Sequence, residues 1–81
     1  MFKLKLRKIK GNEWRTYDGL TTELKRGHVL RLKGGGVYAV FEVYNSNGRS
    51  IVHMNEILKR DYSTNIKALN TGDEYRVIGQ Q

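Results

Sequence analysis

The sequence predicts a mostly β chain: a small antiparallel barrel or curled sheet of five or six strands with one short helix. Three observations carry that expectation. Apolar residues recur at a period of two over most of the chain, the spacing of half-buried strands. Turn signals (Gly11-Asn12, Asp18-Gly19, Gly34-Gly35-Gly36, Asn47-Gly48 and Asn70-Thr71-Gly72-Asp73) cut it into pieces of strand length. With 81 residues and no internal repeat, 1–81 reads as a single domain with a small core.

Phe2–Arg7 alternates strictly between apolar and basic residues, which makes a strand with one cationic face. The phase breaks at Lys8-Ile9, where a bulge or the strand end is expected. Glu13–Tyr17 reads as a short second strand carrying Trp14, which is expected in the core. Leu20–Arg26 fits either an irregular crossing or one helical turn. His28–Lys33 alternates with Leu30 and Leu32 on one side. Val37–Tyr44 has apolar residues on both faces, the mark of a central strand. Its Val37, Ala39, Phe41 and Val43 face is expected to fill the core, leaving Tyr38, Val40, Glu42 and Tyr44 on the other. Asn47-Gly48 then predicts a hairpin to Arg49–Met54, with positive φ at Gly48. Asn55 can cap a short helix over Glu56–Tyr62, with Lys59 and Arg60 near its C-terminal end. Ile66–Leu69 is a strand fragment and Glu74–Ile78 a final strand.

Composition excludes several classes. With no Cys, disulfide scaffolds, thiolate catalysis and Cys-ligated zinc fall away. No run approaches the apolar length of a membrane helix, and the N-terminal apolar residues come singly, so no signal-peptide core is expected. The expected setting is cytoplasmic, without membrane contact. The formal net charge is +7, and its position matters more than its size. Residues 1–33 hold ten cations and three acids, whereas residues 34–81 hold five of each. Such asymmetry marks a surface that faces a polyanion.

The segment Gly27-His28-Val29-Leu30-Arg31-Leu32-Lys33-Gly34-Gly35-Gly36-Val37-Tyr38-Ala39-Val40-Phe41 resembles a known signature. It is similar to the Gly, acid, Val-Val-x-Leu-Lys-Ser-Gly-Gly pattern of small bacterial SH3-like proteins and, more loosely, to the strand–loop–strand of KOW-type modules. Over residues 27–48 the resemblance implies an SH3-like barrel; His28 replaces the family's acid, and no Pro follows the glycines. In size and style the chain resembles small early proteins of tailed phages.

The candidate chemistry is binding. Lys33-Gly34-Gly35-Gly36 lacks the order of a phosphate loop, in which Lys follows the glycines and opens a helix, so it reads as a turn. Two His without Cys or clustered carboxylates make no metal site, though a His pair, or His with Glu42, could serve a small ribonuclease. We expect no catalysis and no cofactor. The basic strand is the sharpest feature: Lys3, Lys5 and Arg7 at period two stand about 6–7 Å apart, close to the phosphate spacing of a single strand. Lys8 and Lys10 extend the patch, which exceeds what edge protection alone requires. Arg15, Arg31 and Lys33 add charge, and Tyr38 and Tyr44, expected on one strand face, offer stacking rings. The expected function is therefore non-catalytic binding of nucleic acid, with RNA or single strands favoured. The alternative is a phage-type protein inhibitor of a host enzyme or RNA-cutting defence toxin, acting through a host protein target or the RNA it binds. So small a core is also compatible with a homodimer through edge-strand pairing.

Overall fold

Period-two patterning and turn chemistry produce one curled antiparallel sheet, a half-barrel. The computed structural model describes residues 7–8, 13–20, 22–58 and 61–81, with side chains for 13–20, 22–58 and 65–81. The strands are β1 (Arg7–Lys8), β2 (Arg15–Thr16), β3 (His28–Leu32), β4 (Val37–Ser46), β5 (Arg49–Leu58), β6 (Asp61–Ala68) and β7 (Glu74–Gln80). Their order across the sheet is β1-β7-β3-β4-β5-β6, and β2 also pairs with β7. β1 and β2 thus share one edge of β7, near its two ends, while β3 holds the other.

The β4–β5 hairpin closes at Ser46 opposite Arg49. Asn47 and Gly48 both have positive φ, 51° and 76°, as a two-residue turn matched to strand twist requires. The expected hairpin is present. At the other end of β4 the glycine run is a tight turn, in which the Gly35 amide donates to the Leu32 carbonyl and the Leu32 amide to the Gly36 carbonyl.

The short helix expected over Glu56–Tyr62 is absent, and no helix occurs among the described residues. β5 runs on to Leu58 and turns back into β6, with Leu58 opposite Asp61 and Ile57 opposite Tyr62. Asn55, the expected cap, is paired on both sides, with Ala39 and Ile66. A helix of two turns is marginal by itself, whereas a second hairpin pairs the same backbone against an existing strand. Lys59 and Arg60 lie outside the described residues.

The core lies on the inner face, where Leu30 and Leu32 of β3, Val40 of β4, Val52 and Met54 of β5, and Tyr75 and Val77 of β7 meet. Leu24 and Tyr17, from the segments around and after β2, close it. The face assignment of β4 needs correction. Val40 pairs with Met54 but Glu42 pairs with His53, so Phe41 is an extra residue, a bulge that flips the strand's phase. Tyr38 and Val40 face inward before it and Val43 after it, while Phe41 is only half-buried. Ala39 is buried beside its partner Val29, outside the main cluster. Trp14, expected in the core, is 42% exposed. Tyr17 takes the inward position instead, and its hydroxyl donates to the Ser50 carbonyl.

Candidate nucleic-acid interface

The outer face of β3 and β7 carries the clearest electrostatic feature among the described residues. Arg31 stands directly opposite Arg76 in the antiparallel pair, and both are exposed. Like charges in that position weaken a sheet, because the two Cβ atoms lie about 4.5–5.5 Å apart. Among the described residues neither guanidinium has an ion pair. Lys33, one step along the same face, does: its Nζ lies 2.8 Å from Glu74 Oε2.

The other expected residues divide. Lys3, Lys5 and Lys10 lie outside the described residues, as do the side chains of Arg7 and Lys8. The backbone of Arg7–Lys8 forms β1, whose partners Gln80 and Gly79 bring the basic segment to the strand that carries Arg76. Arg15 belongs elsewhere. It pairs in register with the core residue Tyr75, and its Nε lies 3.6 Å from Glu23 Oε1 at the sheet's inner margin. Tyr38 and Tyr44 do not share a face, because the Phe41 bulge lies between them. Tyr38 packs on the core with Lys67 Nζ 5.6 Å from its ring centroid. Tyr44 points outward and meets the His53 ring edge-on at 5.7 Å.

The imidazoles are separated in role. His28 Nδ1 accepts from the Lys25 amide at 3.0 Å and closes the turn into β3. His53 Nδ1 lies 3.1 Å from Glu42 Oε1 on the outer face. The strongest titration effect is at Tyr75, where burial, then a hydrogen bond and the charge of Glu23, hold the phenol well above its usual range. Burial also raises Tyr17.

Arg76 was missed in the sequence, although its phase announced it: Tyr75 and Val77 flank it and point inward, so Arg76 must point out. The Arg31–Arg76 pairing is different, since it depends on β7 entering the sheet beside β3, a long-range register that local patterning does not encode. Among the described residues no helix is long and apolar enough to cross a membrane. No protein-family model, curated protein or solved structure matches this chain.

Proposed function

We propose that this chain is a non-catalytic nucleic-acid-binding domain that takes RNA or single strands, built as a small SH3-like barrel and acting in the cytoplasm. The observation that carries the proposal is the exposed Arg31–Arg76 pair, without an ion pair among the described residues. A like-charge pair costs folding stability, and a phosphate between the two guanidinia turns that cost into binding. The backbone of Arg7–Lys8, part of the basic segment, pairs with β7, the strand that also carries Arg76. A strand-borne cation row suits an extended single strand, and no described helix offers itself to a major groove. The resemblance of residues 27–48 to SH3-like modules, and of the whole to small phage early proteins, belongs to the same proposal.

The test is a double variant, Arg31→Gln with Arg76→Gln, assayed on labelled single-stranded RNA, single-stranded DNA and duplex DNA across a salt series. Removing the repulsion should leave the melting temperature unchanged or raised. Affinity for single strands should fall about tenfold, with the log–log salt slope shrinking by about 0.7, the contribution of the one phosphate held between the two guanidinia. Unchanged binding would remove the support of this face. A protein partner captured equally well after nuclease treatment would put the inhibitor reading ahead.

A further inference from the structure

On the outer face of the β4–β5 hairpin three rings stand in a row. His53 is central, its ring centroid 6.1 Å from that of Phe41 and 5.7 Å from that of Tyr44. Tyr44 is 44% exposed. The Phe41 bulge opens a hollow of about 500 Å³, which Leu24, Lys25, Arg26, Glu42 and Val43 also line. A second hollow of about 260 Å³ shares Phe41 and Arg26. Lys25 and Arg26 are exposed and, among the described residues, have no ion pair. Glu42 belongs to both features: it lines the larger hollow, and His53 Nδ1 holds its Oε1 at 3.1 Å.

This combination has a specific chemistry. Rings whose faces the core does not use can stack unpaired bases, whatever the base. Two cations beside them can take the adjoining phosphates. A carboxylate accepts hydrogen bonds and donates none, so it rejects base edges that present carbonyl oxygens to it. Guanine offers two adjacent donors, N1–H and N2–H2, that can meet both oxygens of one carboxylate, whereas uracil offers a single donor between two carbonyls. We propose that the Phe41–His53–Tyr44 row is a stacking subsite for unpaired bases and that Glu42, positioned by His53, selects guanine there. The inference rests on the nucleic-acid reading and adds the ligand's class to it.

The experiment measures anisotropy of two labelled hexaribonucleotides, one all uridine and one with two central guanosines. The proteins are the wild type and the variants Tyr44→Leu, Phe41→Leu and Glu42→Gln, each checked for a cooperative melt. Tyr44 and Glu42 are exposed, so at least those two variants should keep the fold. The ring variants should bind both oligonucleotides about five- to fiftyfold more weakly with the salt slope unchanged, as loss of stacking requires. Wild type should prefer the guanosine oligonucleotide about tenfold, and Glu42→Gln should erase that preference while binding all-uridine RNA no more weakly. If wild type binds both with a salt slope but without preference, and Tyr44→Leu and Phe41→Leu change nothing, the subsite is overturned and the phosphate-binding face stands. Ring sensitivity without a guanosine preference overturns the selection by Glu42. If neither oligonucleotide binds at low salt, the nucleic-acid reading falls and the subsite with it.

Discussion

The Tyr75 hydroxyl donates to Glu23 Oε1 at 2.8 Å, and that carboxylate also holds Arg15 at the open margin of the core. Burial first and Glu23 second favour the neutral phenol, so its folded-state pKa lies above the unfolded value. The associated stability is complete below pH about 10 and is lost as pH rises through the unfolded pKa toward the folded one. Tyr75→Phe should therefore lose about 1 kcal/mol at pH 7 and show a shallower alkaline decline in denaturant titrations. Tyr17, raised in the same direction, keeps that decline from vanishing. Packing residues separate equally well. Leu30 is fully buried, so Leu30→Ala should cost about 2–5 kcal/mol, and half-buried Phe41→Ala clearly less. Leu30 was readable from alternation because its strand keeps phase with its core-facing neighbour Leu32. Phe41 was not, because a bulge is one extra residue that alternation cannot announce in advance.

At the scale of elements, sequence signals worked where the local chain fixes its own geometry. Asn47-Gly48 takes the two positive φ values that a tight hairpin demands, and nothing surrounds Gly48 closely enough to matter. Gly48→Val should destabilise by about 1–2 kcal/mol through backbone conformation alone, since a β-branched residue is strained at positive φ. A chemical-denaturation midpoint lowered without a change in slope would show it, and Gly48→Asn should cost much less. The Glu56–Tyr62 segment had no such local determinant. Its Asn cap and C-terminal basic residues suit a short helix, yet Ile57 and Tyr62 suit a strand. In the folded sheet β5 carries on to Leu58 between β4 and β6, and pairing with those strands satisfies the backbone that a helix would have satisfied internally. Tyr38 and Tyr44 were separated for a similar reason: the cross-strand register, not the spacing, decides which rings share a face.

Across the whole molecule the charge is unevenly placed, and the sheet order gives that imbalance a direction. Residues 1–33 carry the entire surplus of seven charges, and β1 sets Arg7–Lys8 of that segment beside β7, the strand whose Arg76 stands opposite Arg31 of β3. If Lys3, Lys5, Arg7, Lys8 and Lys10 each meet one phosphate of a single strand, they contribute a log–log salt slope of about −3.5. Replacing Lys3, Lys5 and Arg7 with Gln leaves Phe2, Leu4 and Leu6 untouched. Such a triple variant should melt close to wild type, and its salt slope should shrink in magnitude by about two. The loss should be the same for oligonucleotides of unrelated sequence, since phosphate contacts position a strand without reading it. Stacking on Tyr44 predicts the opposite pattern, a loss that salt does not modulate. Measuring both variants over one salt series therefore separates phosphate attraction from base stacking. A triple variant that binds as tightly as wild type at every salt concentration would reduce the basic segment to edge protection against aggregation.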